Sequence, residues 1–282
     1  MAISTILAGL CFIVLFVLRQ LNREKNDIQS MLDVRLFPQH RVHPVRLPQN
    51  LISMMVDVGF IYFASQHLQL VSGLPPMYAG MLLIPGTLAT IIAGLVIARV
   101  AVHFHPAQVV SFGLALNAAA FAVLAFLGAH SDVVIILIFI VLGTGIGIAQ
   151  TISNDLMLSS VPPRKAGAAS AISETSYETG AVLGTVIIGG MLTAIYRANV
   201  VVPDGLDETL ADHAHETLGG AVTVASQVGG EQANQLLSSA FAAFDSGVVL
   251  SSAFSAVLMG VMAVISYFMI RKAPREMKPA EH

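Results

Sequence analysis

The chain has 282 residues, of which 55% are hydrophobic and 11% charged, with a net charge of −3 and a mean hydropathy of +0.77. An ordinary soluble domain carries about 25% charged residues, so this composition excludes a soluble globular fold, and the mildly negative charge excludes nucleic acid as a partner. A single cysteine, Cys11, excludes an internal disulfide and any multi-cysteine metal site; it lies in an apolar run and reads as a small packing residue.

A transmembrane helix needs about 20 mostly apolar residues at about 1.5 Å rise each. Seven such runs occur in chain order, at 2–18, 49–71, 77–98, 107–129, 133–156, 166–195 and 247–270. Each must satisfy its own backbone in lipid, so each is predicted helical, and the runs are too long and continuous for barrel strands. The first has no basic residue before it and no small-residue cleavage site after it, which argues against a signal peptide. Arg19, Arg23 and Lys25 follow it like a stop-transfer flank.

Basic residues set the orientation. Arg19, Arg23, Lys25, Arg35, Arg41, Arg46, Arg99, Arg164, Lys165, Arg271, Lys272, Arg275 and Lys278 all fall on one side, 13 of the 14 in the chain, and only Arg197 falls on the other. The 19–48 loop and the C-terminus are therefore expected to be cytoplasmic, in an inner (plasma) membrane protein. The segment 197–246 is then extracytoplasmic and acidic, with Asp204, Asp207, Glu208, Asp212, Glu216, Glu231 and Asp245 against Arg197. Leu206, Leu210, Ala214 and Leu218 recur there at helical spacing and predict short surface helices. His213 and His215 lie in this solvated segment without a third imidazole or a cysteine nearby, and His103 and His105 in a short cytoplasmic loop, so no metal site is expected. With an odd number of spans and Met1 almost at the membrane, the chain is expected to begin in the middle of a longer topology.

Three segments carry a family resemblance. The first reads Gln69-Leu-Val-Ser-Gly-Leu-Pro-Pro-Met-Tyr-Ala-Gly80 followed by Leu82-Leu-Ile-Pro85, and the second Leu32-Asp-Val-Arg-Leu-Phe37. The third combines Asn154-Asp155, Pro162-Pro-Arg-Lys-Ala-Gly167, Ala171-Ile-Ser-Glu-Thr-Ser-Tyr-Glu-Thr-Gly180 and Gly184. Together they resemble the fourteen-span drug:proton antiporters of the major facilitator superfamily, of the quaternary-ammonium and methyl viologen resistance type. The resemblance implies an all-α, polytopic bundle of seven transmembrane helices. Residues 1–18 would be an extra helix, 19–48 a cytoplasmic loop, and 49–282 the C-terminal six-helix half of the transporter. It further implies proton-coupled efflux of lipophilic or quaternary ammonium cations, with small cationic drugs, protons and the bilayer as partners and no cofactor. The family's N-terminal half has no counterpart here, so a missing half or self-association would complete the transporter. The alternative is a half-transporter remnant without transport, or a membrane partner of an intact pump.

An ionisable group in the bilayer core costs about 2.5–3.5 kcal/mol on insertion scales, so each one there is a functional candidate. Glu174 and Glu178 lie about 12 and 18 Å into the sixth run, and their spacing of four puts both on one helix face. A carboxyl that binds and releases a proton as a cation arrives is what cation/proton exchange requires, and the matching family acids are implicated in recognising organic cations. Glu178 is the deeper of the two; a structural hydrogen bond to Thr175, Ser176 or a neighbouring helix is the alternative. Asp57, about 13 Å into the second run, is a proton or substrate candidate or an interhelical hydrogen-bonding group. Asp155, near Arg164 and Lys165, suits a gating or structural ion pair. Gly180 and Gly184 form a G-x-x-x-G, and Gly143, Gly145 and Gly147 line another span, as close-packing positions. Tyr177, between the two glutamates, is expected to point elsewhere. Phe60, Tyr62 and Phe63 suit packing more than stacking on a flat cation, and His67 and Gln69 suit the outer rim. No phosphate-binding loop, nucleophile–base pair or zinc-binding helix occurs, and no enzyme is expected.

Overall fold

The computed structural model describes residues 43–271 apart from 130, 160, 162, 164 and 165, together with Leu15 and Arg19. The run at 2–18, most of the 19–48 loop, Cys11, the segment 32–37, Arg164, Lys165 and the basic residues after Arg271 lie outside the described residues. The described chain is helical and contains no strand. Among the described residues, six helical stretches are long and apolar enough to cross a membrane: Leu47–Val71, Pro76–His103, Pro106–Leu127, Asp132–Ser159, Ala166–Asn199 and Gly230–Arg271. They cover the later runs read from the sequence, except that the run at 107–129 ends at Leu127, where Gly128 at φ 68° stops the helix.

Helix α1 (His43–Gln66) runs on through a π-turn (His67–Val71). Gly73, at φ 67°, then reverses the chain, and α2 (Pro76–Val100) starts with a proline in its first turn, where a missing N–H costs nothing. Helix α3 (Pro106–Leu127) is capped by His105, whose Nδ1 accepts from the Ala107 N–H at 3.2 Å while Gln108 Oε1 accepts from the His105 N–H at 3.4 Å. That reciprocal cap gives His105 a structural task. Helix α4 spans Asp132–Ser159, and α5 (Ala166–Leu183) joins α6 (Gly189–Asn199) through a second π-turn at Gly184–Ile188. Two short helices, α7 (Glu208–Glu216) and α8 (Leu218–Val228), lead to α9 (Gly230–Arg271).

Glycines decide how closely these helices approach. Residues 143 and 147 are four apart and share a face of α4; residue 145 is about 200° away on the opposite face. The structure uses both faces: a Cβ on Gly143 or Gly147 would strike the Gly86 or Thr90 carbonyl oxygen of α2, and one on Gly145 would strike Asn117 and the Gly113 carbonyl of α3. Helix α4 is thus held between α2 and α3. Gly180 and Gly184 do the same on α5, against the Leu51 and Met55 carbonyl oxygens of α1. Farther along the same contact the roles reverse at Gly59, whose space Ile188 fills, while Tyr62 of α1 covers Gly189 of α6.

Phe60 and Phe63 are fully buried, with Phe60 stacked on Phe139 at 5.2 Å and edge-on to Phe63 and Phe121. They join α1, α3 and α4 in the core and are closed to any ligand.

The segment 197–246 is more ordered than its composition suggests. Ala214 and Leu218 are buried, Leu206 and Leu210 pack beside them, and the Tyr196 hydroxyl donates to the Ala214 carbonyl at 2.8 Å. Arg197 Nε donates to the Glu216 carbonyl at 3.1 Å, and the Val201 N–H to Ser239 Oγ at 2.7 Å. The last helix begins 17 residues before the apolar run at 247. Its 42 residues reach about 63 Å, twice the roughly 30 Å of hydrocarbon. The stripe Ala233, Leu236, Ala240, Ala243 and Phe244 is buried and carries the apolar face back to its start.

Candidate functional site

Polar side chains from four helices meet inside the bundle. Asn50 of α1 donates through Nδ2 to Ser173 Oγ of α5 at 3.1 Å and accepts from Ser153 Oγ of α4 at 3.1 Å. Ser173 in turn donates to Asn154 Oδ1 of α4 at 3.1 Å, and the same oxygen accepts from the Tyr177 hydroxyl at 3.1 Å. Ser266 of α9 donates to Gln49 Oε1 of α1 at 3.3 Å. Gln49, Asn50, Ser153, Ser173 and Ser266 are all buried. Buried polar groups without partners are costly in lipid, and each of these five finds one on another helix.

Sequence reading missed this network. Asn50 and Ser173 stand 123 positions apart, and one Ser or Asn hardly lowers the hydropathy of a span. The available signal was spacing: Ser173 and Tyr177 are four apart, so they share a helix face.

Glu174 and Glu178 are exposed on α5, with Thr175 and Thr179 beside them. Both threonine hydroxyls bond back to their own helix, to Ala171 O at 2.8 Å and Thr175 O at 2.7 Å; neither supports a glutamate. Glu174 lines a cavity of about 200 Å³ between α4 and α5 with Asn154, Met157, Ser173 and Tyr177. Glu178 is not among its lining residues. Tyr177 therefore does not point away from the acids as expected: three positions along a helix return to nearly the same side, so its ring shares this cavity with Glu174.

Asp57 is partly buried and has no hydrogen-bonded or ion-pair partner among the described residues. It lies one turn past Ser53 on α1 and does not line the Glu174 cavity. Asp155 is exposed near the end of α4, and its expected partners Arg164 and Lys165 are outside the described residues. Gly180 and Gly184 act through backbone approach to α1.

A second polar cluster closes the other end of the bundle. His67 is buried, and its Nε2 lies 3.3 Å from Asp132 Oδ1, which also accepts from Ser72 Oγ at 2.6 Å. Asp245 of α9 accepts from the Ala129 N–H at 2.7 Å. Together they border a cavity of about 750 Å³. Gln69, by contrast, donates only to Ser65 of its own helix at 2.7 Å. Among the described residues no group of three or more His, Cys, Asp or Glu side chains is arranged to hold a metal ion.

Apolar helices of spanning length, packed through glycines and cross-linked by buried hydrogen bonds, define a multi-pass α-helical membrane protein. The model of the Major Facilitator Superfamily matches residues 1–185, and the chain belongs to that superfamily. It is 43% identical over 246 residues to the multidrug efflux pump LfrA of Mycolicibacterium smegmatis, covering 86% of this chain and 48% of that protein. Over 278 residues it is 32% identical to the methyl viologen resistance protein SmvA of Salmonella typhimurium, covering 96% and 54% respectively. The tetracenomycin C resistance and export protein of Streptomyces glaucescens is 27% identical over 271 residues, 92% of this chain and 49% of that protein. The chain thus spans about half the length of the curated relatives it matches.

Proposed function

We propose that this chain supplies the C-terminal six-helix half of a fourteen-span exporter that exchanges protons for lipophilic or quaternary ammonium cations by alternating access. A second bundle, from a companion half or another copy of the chain, would face it across the transport cavity. In this reading the span at 2–18 is the extra helix of that architecture, and 19–48 and the C-terminus are cytoplasmic at the inner membrane. The names of the relatives, multidrug efflux and methyl viologen resistance, support drug export as the task.

The observation that carries the reading is the exposed face of α5. Glu174 and Glu178 project from a spanning helix without burial in this bundle. Two carboxylates facing hydrocarbon would cost about 5–7 kcal/mol at about 2.5–3.5 each, so this face suits a hydrated cavity or a second bundle. The exposed face of α2, with Leu88, Ile91, Ile92, Leu95 and Val96, suits lipid.

Glu174, beside the small cavity, would meet the cation, and the deeper Glu178 would couple cation release to proton uptake. Asp57 adds a second protonatable position on α1. Asp155 and the close α1–α5 contact at Gly180 and Gly184 would control how the cytoplasmic side opens. The test is resistance to methyl viologen in the native host carrying Glu174→Gln or Glu178→Gln at matched expression. Both should lose resistance, Glu178→Gln more. Full resistance in both variants would remove these acids from the mechanism.

A further inference from the structure

The cavity between α4 and α5 is too small for a whole drug. At about 200 Å³ it falls below the roughly 300–1,000 Å³ of drug-sized pockets. It has room for a headgroup alone, and the exposed face of α5 lies beside it. Its walls offer one carboxylate (Glu174), one phenol ring (Tyr177) and one thioether (Met157).

The ring is held in place. The Tyr177 hydroxyl donates to Asn154 Oδ1, that oxygen also accepts from Ser173, and Ser173 Oγ accepts from Asn50 Nδ2. The chain of bonds crosses three helices and fixes the ring one turn along α5 from Glu174. A carbonyl oxygen has two lone pairs, and both on Asn154 Oδ1 are taken. The cavity therefore offers a cation the charge of Glu174 and the ring of Tyr177, with the exposed Ser170 also in its lining.

We propose that Tyr177 is the specificity-determining residue of a headgroup subsite in this cavity. Its ring, held by Asn154, is the aromatic wall against which a compact organic cation rests while Glu174 supplies the counter-charge. The proposal rests on the cation-export reading above and assigns the place where that cation is first held. It also separates two roles on one helix turn: Glu174 attracts any cation, whereas Tyr177 distinguishes those whose charge is spread over alkyl groups that fit a ring face.

The test is equilibrium binding of radiolabelled benzyltrimethylammonium to the purified full chain in lipid nanodiscs, with empty nanodiscs as the baseline for partitioning. Neopentylbenzene, the uncharged isostere, serves as competitor. The expected result is saturable binding that the isostere does not displace. Tyr177→Phe and Tyr177→Trp should keep affinity within about threefold, and Tyr177→Leu should lose about tenfold. Unchanged affinity in Tyr177→Leu would overturn the subsite while leaving cation binding, and the export reading, intact. Equal losses in Tyr177→Phe and Tyr177→Leu would show that the loss follows the hydroxyl and not the ring, which also overturns it. Absence of saturable binding in the wild type would overturn it as well, with the export reading judged separately by the resistance test. Should Tyr177→Leu fail to fold, the Phe and Trp variants and the isostere decide: displacement by the isostere as strong as by the cation itself would overturn the proposal.

Discussion

Replacing Asn154 by alanine removes the acceptor shared by Ser173 and Tyr177, both at 3.1 Å. Interhelical side-chain hydrogen bonds in membrane proteins average about 0.6 kcal/mol and reach about 1.7, so two lost bonds amount to about 1.2–3.4 kcal/mol. The two donors are not equal. Ser173 is buried and cannot turn to water, whereas Tyr177 is only partly buried. The cost should therefore sit in the lower half of that range, about 1.2–2.3 kcal/mol, and come mostly from Ser173. Reversible unfolding of the full chain in mixed micelles measures it, and a double-mutant cycle with Ser173→Ala isolates the shared bond. A coupling of about 0.6–1.7 kcal/mol is expected. Ser159→Ala is the control, since that hydroxyl is exposed and bonds only its own helix at Leu156 O; it should change stability by less than about 0.5 kcal/mol. Additivity of Asn154→Ala and Ser173→Ala within about 0.3 kcal/mol would refute the network as a connection between α4 and α5.

Gly184→Ala should destabilise the bundle by about 1–3 kcal/mol, because its Cβ would meet the Met55 carbonyl of α1, while Gly190→Ala, open to space, should be neutral or slightly stabilising; the same unfolding assay checks both. For orientation, in a Cys11→Ser background an impermeant thiol reagent should label Asp212→Cys in intact cells and spare Ala280→Cys; the reverse pattern would invert the topology.

The apolar runs from 49 onward were legible because a spanning helix is defined by length and hydropathy, both local properties of the sequence. The start of α9 was not. Residues 230–246 mix Ala, Ser and Gln with Leu and Phe, and only their packing against α8 and neighbouring helices shows that Ala233, Leu236 and Ala240 continue the core face. The glutamate pair was legible as charge inside a span, but its exposure on α5 depends on which helices surround it. Tyr177 was misplaced because adjacent positions diverge by about 100° while three positions nearly realign, and the deciding partner, Asn154, sits on another helix. The π-turns at His67–Val71 and Gly184–Ile188 carry no local sequence mark; the second lies where α5 passes from its glycine contacts to the Ile188–Gly59 contact. Phe60 and Phe63 gave an aromatic pattern compatible with core or ligand, and only the stack on Phe139 resolves it.

The most direct test of cation/proton exchange at the α5 face is proton release from everted membrane vesicles of the native host, followed with a pH-sensitive dye as a lipophilic dication is added. With the wild-type chain, cation-induced proton efflux from acidified vesicles is expected, abolished in the Glu174→Gln/Glu178→Gln double variant at equal abundance in the membrane. Cation-induced proton efflux of undiminished rate in the double variant would contradict it.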